Sequence, residues 1–213
     1  MTASARFASD LKLVGGELCL DFANTVDWHA SKSPQERLND YGSLVSWSRE
    51  VGVLDDAAER RLRREAGRHP AQASKAWKQA IAVRELLYRV FVALIHGRQV
   101  DASDLERLNQ TLSDTLRHLR VVHEGDGLEW RWAGTPQDLE QMLWPIVRSA
   151  ADLLTSDRRL KLGQCADDRG CGWLFLDTSK SHGRRWCAME DCGNRAKARR
   201  HYQRSRRQGA VGR

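Results

Sequence analysis

The chain has 213 residues, 35 Lys/Arg against 28 Asp/Glu for a net charge of +7, 41% hydrophobic residues, eight Trp and five Cys. This is enough for one domain with an adequate core plus a small module. No apolar run approaches the roughly 18–20 residues of a membrane span. The opening MTASARFASDLKLVGG lacks the apolar core of a secretory signal, so a cytoplasmic, reducing setting with no membrane partner is expected.

In chain order, Gly15-Gly16 marks a turn, and LCLDFANTVDW follows it. Leu18, Cys19, Leu20, Phe22 and Ala23 make this run apolar on most sides, which suits a buried helix from about Glu17 to Asn24. Cys19 stands alone and is read as a small buried apolar residue. Asp21, Asn24 and Thr25 are polar groups embedded in that run and must find partners. Either they cap the helix and hold the next loop, or they line a ligand pocket together with Arg84. Residues 29–39 form a polar loop. Asp40 or Ser43 opens a helix carrying Tyr41, Leu44, Val45, Trp47 and Val51, ended by Gly52. Asp55 or Asp56 opens the next, which His69-Pro70 breaks. A long helix over about 71–96 carries a wide apolar stripe from Trp77 to Ile95, with Arg84 inside it. That arginine is expected to pair with an acid such as Asp21, or to snorkel.

Asp101 or Ser103 caps a helix running through Leu105, Leu108, Leu112 and Leu116. The period then changes to two: residues 119–134 hold two extended runs flanking Gly125-Asp126-Gly127, a β-hairpin pattern. Thr135-Pro136 is expected to start a helix whose buried face runs from Leu139 to Leu154, with a kink or break at Pro145. Arg159–Leu162 reads as a connector.

The last part of the chain carries four cysteines at C-x5-C-x15-C-x4-C: Cys165, Cys171, Cys187 and Cys192. Two short pairs separated by a longer loop are what a tetrahedral four-thiolate zinc site requires. An Fe–S cluster is the rival occupant, and His182 or His201 the alternative ligands. Four thiolates fill the sphere, so one structural, non-catalytic Zn2+ per chain is expected. Trp173–Leu176 reads as a short strand, with SHGRRWC as its return limb. Asn194 is the expected cap of a cationic helix.

Charge is sharply divided. From Lys180 to Arg213 there are eleven Lys/Arg against Glu190 and Asp191, while residues 1–179 carry 24 basic and 26 acidic residues. An anionic partner is therefore expected for the C-terminal end alone. Arg195, Arg199 and Gln203 share one helix face and suit base-edge reading, while Lys197, Arg200, Arg204, Arg184 and Arg185 suit phosphate contacts.

CGWLFLDTS followed by RRWCAMEDCGNRAKARRHY resembles the CGNR zinc finger. LCLDFANTVD, together with Arg84 and Leu87-Tyr88, resembles the ABATE domain of stress-induced, mostly bacterial, transcription regulators. The resemblance implies that Cys165, Cys171, Cys187 and Cys192 hold the zinc, that Cys192-Gly193-Asn194-Arg195 is the signature tetrad, and that the finger binds DNA. The expected fold is mainly α. A helical domain at 1–160 has one β-hairpin, a small treble-clef-like zinc module occupies 161–208, and a disordered tail follows at 209–213. The expected function is a duplex-DNA-binding regulator whose first domain senses a small-molecule effector or forms a homodimer. RNA binding through the same helix and a protein-interaction module are the alternatives. An enzyme built on Asp21, Asn24, His29 and Arg84 lacks a nucleophile–base pair, so no catalytic residue is assigned.

Overall fold

The structure is a computed structural model that describes residues 12–211, with side chains through residue 205. Residues 1–11 and 212–213 and the side chains of Arg206 and Arg207 lie outside that description. So does part of the tail expected at 209–213.

The first helix, α1 (Leu18–Ala23), is the centre of the molecule: Cys19, Leu20, Phe22 and Ala23 are all 0% exposed. It packs against the long helix α4 (Pro70–Ile95) and the later helix α6 (Leu143–Thr155). A two-residue bridge between β1 (Val26–Asp27) and β2 (Gln35–Glu36) ties down the polar loop that follows.

Local chemistry sets the helix starts. At α2 (Tyr41–Glu50), the Ser43 amide donates to Asp40 Oδ1 at 2.6 Å and the Asp40 amide donates to Ser43 Oγ at 3.0 Å, a reciprocal capping box. Asp55 caps α3 (Asp56–Arg68) and Asp101 caps α5 (Ala102–Leu116). Pro70 opens α4 at a position where its missing N–H has no partner to lose. Along α4 the residues Ala73, Ala76, Ala80, Val83, Leu87, Val90 and Phe91 are buried at three- and four-residue spacing.

Two antiparallel hairpins follow. The first joins β3 (Leu119–Glu124) to β4 (Gly127–Trp132) around Gly125-Asp126 and stands largely in solvent. The second joins β5 (Leu162–Gln164) to β6 (Leu174–Leu176) and is packed into the body. A tight turn, Met189–Gly193, then runs into the terminal helix α7 (Asn194–Val211).

Four expectations are corrected. The helix expected at Thr135-Pro136 begins only at Leu143, because Asp138 accepts from the Thr135 amide (2.6 Å) and hydroxyl (3.0 Å) and closes that segment into a turn. Pro145 consequently sits in the first turn of α6, where no amide donor is needed, and produces no break within it. The strand at Leu174–Leu176 pairs upstream with Leu162–Gln164, which begins at the last residue of the expected Arg159–Leu162 connector, and not with SHGRRWC. Gly163 makes that pairing feasible: a Cβ there would lie 2.5 Å from the Phe175 ring. Asn194 is itself helical (φ −66°, ψ −39°); its backbone amide donates to the Asp191 and Met189 carbonyls and its side-chain Nδ2 to the Glu190 carbonyl at 3.2 Å, so it continues the preceding turn and is not a cap.

The zinc module shares its core with the helical body. Leu174 and Leu176 belong to the same buried cluster as Leu20, Phe22, Leu87 and Phe91. A smaller cluster holds the four cysteines, Phe175 and Ala188, with Val14, Trp28, Trp173 and Trp186 packed against it.

Candidate metal centre and nucleic-acid interface

Each half of the module brings two thiols to one point. Cys165 and Cys171 end the two strands of the β5–β6 hairpin, where the Cys165 amide donates to the Trp173 carbonyl at 2.8 Å. Cys187 precedes the Met189–Gly193 turn that leads into α7, and Cys192 lies within it. All four are buried, and the four sulfurs lie within 4.8 Å of one another. Cys171–Cys187 is 3.8 Å and Cys187–Cys192 is 3.6 Å. A disulfide would need about 2.05 Å. Thiolates bonded to zinc at about 2.3 Å in a tetrahedron lie about 3.8 Å apart, so the donor set fits that ion. An Fe–S cage needs wider spacing between its thiolates than these separations allow. Packed this closely, the four thiols interact strongly and titrate as one set, not residue by residue. His182 and His201 are exposed and stand outside the cluster.

Arg195 serves this centre directly. Its guanidinium donates to Cys192 Sγ at 2.8 Å and to Asp167 Oδ2 at 3.3 Å. The Asp167 side chain is buried and its carboxyl is held below the usual range: burial opposes this, and the Arg169 amide, Cys192 and Arg195 outweigh it. Arg195 and Arg169 also lie on the Trp28 ring, at 5.2 and 4.7 Å from its centroid. Trp28 adopts a left-handed backbone (φ 56°) that swings its ring to this position.

Of the four residues offered as a ligand pocket, Asn24 brackets body to module, while Asp21, Thr25 and Arg84 are tied to partners within the body. Asn24 grips β6 at both polar groups of Leu174: its Nδ2 donates to the Leu174 carbonyl at 2.9 Å and its Oδ1 accepts the Leu174 amide at 2.7 Å. Asp21 accepts the Gly15 amide at 2.8 Å; burial raises its carboxyl to about 6, against the lowering effect of that bond. Thr25 donates to the Phe22 carbonyl at 2.8 Å and accepts from Arg84 at 3.2 Å. Arg84 does not pair with Asp21. It forms a bidentate pair with Glu36 at 2.7 and 2.6 Å and bonds Glu85 at 2.9 Å, because Asp21 is turned back toward Gly15.

Further contacts extend the bracket. Glu85 also meets His29 Nε2 at 2.9 Å, and the His29 ring stacks on Tyr88 at 3.6 Å. The Tyr88 hydroxyl donates to the Gly172 carbonyl at 3.1 Å and accepts from Gln164 at 2.8 Å. Trp173 Nε1 donates to the Val26 carbonyl at 2.7 Å, and the His29 amide donates to the Cys171 carbonyl at 3.0 Å. Gly172 has φ +70°, and a Cβ there would meet Ala30 at 2.6 Å, so only glycine allows this approach.

The expected nucleic-acid residues fall into two groups. Arg184 is built in: it donates to the carbonyls of Leu176, Val14, Trp186 and Cys187 and lies over Phe175. Arg195 is held as described, and Arg199 pairs with Asp168. Lys197, Arg200, Gln203 and Arg204 are exposed along α7. Arg185, also exposed, and Arg200 flank Trp186 at 5.5 and 5.8 Å. With Asp168, Arg199 and Gln203 they line a surface cleft of about 230 Å3. A second cleft of about 210 Å3 opens between body and module beside Trp28 and Trp173. Its cations Lys12, Arg37 and Arg195 are each committed to a carboxylate: Asp191, Asp27 and Asp167.

A family model described as "Putative stress-induced transcription regulator" (ABATE) matches residues 16–157, two thirds of the chain. The chain belongs to the ABATE family. The CGNR zinc-finger model matches residues 161–205, which places the four cysteines and Arg195 in a zinc-binding finger. No curated protein matches the chain. Among the described residues no helix is long and apolar enough to cross a membrane.

The ABATE segment thus supplies the bracket and the CGNR segment the metal ligands and cationic helix. Sequence reasoning passed over Glu36, Glu85, Gln164 and Asp167. Glu36 sat in a loop taken as solvated, and no periodic signal links it to Arg84 across 48 residues. Asp167 carried a signal, being an acid between two metal-ligand cysteines.

Proposed function

We propose that this protein is a transcription regulator that binds duplex DNA through the solvent face of α7, with one structural zinc per chain. The observation that carries this reading is the division of labour among the arginines. Arg184 and Arg195 are consumed in building the module, and Arg199 is paired with Asp168. Arg185, Lys197, Arg200 and Arg204 remain on the surface of a segment with eleven Lys/Arg against two acids. Four thiolates fill a tetrahedral sphere, so the metal takes no water and performs no chemistry; the reading assigns no reaction. Arg195 offsets the excess negative charge of a four-thiolate zinc centre and fixes the first turn of α7. Asn24 acts as the seat of the finger, and Asp21, Thr25 and Arg84 act by holding the body around it and not as an effector pocket.

The test is anisotropy titration of the zinc-loaded chain with duplex DNA across a salt series, with structured RNA as competitor. Four phosphate contacts predict a slope of about −3.6 in log K against log salt, or about 150-fold weaker binding between 50 and 200 mM. Absence of binding at low salt, salt-independent binding, or displacement by RNA in preference to DNA would sink the reading.

A further inference from the structure

The β3–β4 hairpin has no role in the finger, yet it gathers three strongly exposed large apolar side chains. Val121, Leu128 and Trp130 are 54%, 65% and 60% exposed. Register places them on one face, with Val121 opposite Trp130 and His123 opposite Leu128. Arg148 of α6 lies against Trp130 at 5.2 Å, and Trp132 leans on Trp144 at 5.9 Å, so the base of the hairpin is anchored while its outer half is bare. Among the described residues, β4 pairs with β3 alone and its other edge is unpaired.

The backbone pattern of that edge is defined. The Ala133 amide donates to the His118 carbonyl at 2.7 Å, which makes 118–133 a bonded pair. Bonded and non-bonded pairs alternate along an antiparallel ladder. Glu129 and Arg131 therefore spend their amides and carbonyls on β3, while Leu128, Trp130 and Trp132 turn theirs outward.

The side chains are self-complementary about Trp130. If a second β4 lies antiparallel across this edge with the two Trp130 residues opposite each other, Leu128 falls opposite Trp132 of the other copy. The outward backbone groups then form six hydrogen bonds. On the reverse face Glu129 of each copy falls opposite Arg131 of the other, twice, by the two-fold symmetry. Glu129 is exposed, and Arg131 otherwise meets Glu124 of its own hairpin.

We infer that β4 is a homodimerisation edge: two copies of this chain join their hairpins into a four-stranded antiparallel sheet, β3-β4-β4-β3, centred on Trp130. The pairing covers Leu128 and Trp130 of both copies. It is closed and isologous, so it stops at two chains. It uses surface remote in sequence from the cysteines and stands whether or not the finger binds DNA.

The experiment is sedimentation equilibrium of the full zinc-loaded chain over micromolar to 100 µM concentrations, with near-UV circular dichroism to confirm that each variant is folded. The expected result is a reversible monomer–dimer equilibrium of the 24.2 kDa chain. Glu129→Arg, which sets arginine against arginine at both contacts, should weaken dimerisation about tenfold. Adding Arg131→Glu should restore it to within about threefold, because each charge again meets its opposite. Leu128→Lys should weaken it at least as much as the first change, by placing a charge in the apolar face. A chain that is monomeric at 100 µM overturns the proposal. So does a dimer indifferent to Glu129→Arg and Leu128→Lys, or one that the double exchange fails to rescue.

Discussion

The two larger hairpins of this molecule invert the usual relation between strand length and security. In β3–β4 six-residue strands pair along their whole length, yet most of their residues are exposed. In β5–β6 the strands have three residues each, and all of β6 is buried. The short hairpin is held from outside itself: Asn24 takes both polar groups of Leu174, the Leu176 amide donates to the Gly15 carbonyl at 2.8 Å, and Cys165 and Cys171 converge on the metal site. The long hairpin depends on its own ladder and on side-chain contacts near its base, Trp132 against Trp144 and Trp130 against Arg148. The comparison teaches that burial here follows cross-body bonding and not the extent of pairing.

The largest effect should come from the metal. Cys187→Ser, or a strong chelator applied to the native chain, should remove zinc and the fixed geometry of β5–β6, since metal binding contributes folding free energy in such modules. Because Leu174 and Leu176 are core residues of the helical body, melting of the body should shift downward too. Metal analysis alongside thermal denaturation checks this, and an unchanged melt of the body would break the comparison. Next in size, Asn24→Ala leaves the Leu174 amide and carbonyl unpaired in a buried site, a loss of about 3 kcal/mol read by denaturant titration.

Asp21 sharpens the picture through pH. Its folded carboxyl titrates at about 6, above the ordinary 3.8, because burial disfavours its charge. The folded state therefore holds the proton more tightly, and this group's contribution to stability falls as pH rises from about 4 to 6, then levels off. Asp21→Asn cannot ionise and can still accept the Gly15 amide. Its stability advantage over the parent should grow across that window to about 2 kcal/mol, allowing for partial exposure. Denaturant titrations of both proteins at pH 4.5, 5.5 and 7 test the sign, and a pH-independent gap refutes it. Smallest of all, Gly125→Ala places a side chain at φ +56° in the exposed turn. It should cost about 1 kcal/mol, with zinc content and the β5–β6 hairpin unaffected.

Much of this was open to reading from residues alone, for local reasons. Asp40, Asp55 and Asp101 announce helix starts because capping is satisfied within one turn of the chain, and His69-Pro70 announces a break. The cysteine spacing announces its chemistry because two short cysteine pairs across a longer loop suit a tetrahedral metal site. What escaped was decided by pairs or competitions that spacing does not rank. Thr135-Pro136 suits a helix start or a turn, and Asp138 three residues on selects the turn. Arg84 must be paired somewhere, yet Glu36 and Asp21 are equally acidic in the sequence, and only the fold turns Asp21 away. Leu162–Gln164 is too short to show an alternating pattern, so its strand exists only because β6 lies beside it.

Leu174 and Leu176 bear finally on how such a protein can be recombined. The join between the two matched segments, near residue 160, lies on the surface, yet the segments on either side of it share one buried core. A finger transplanted at that join would arrive with two leucines and an ungripped Leu174 amide facing water. It would travel well only with the LCLDFANTVDW segment from the far end of the chain, so the two segments have the character of a lock and its strike plate, inherited or exchanged as a set.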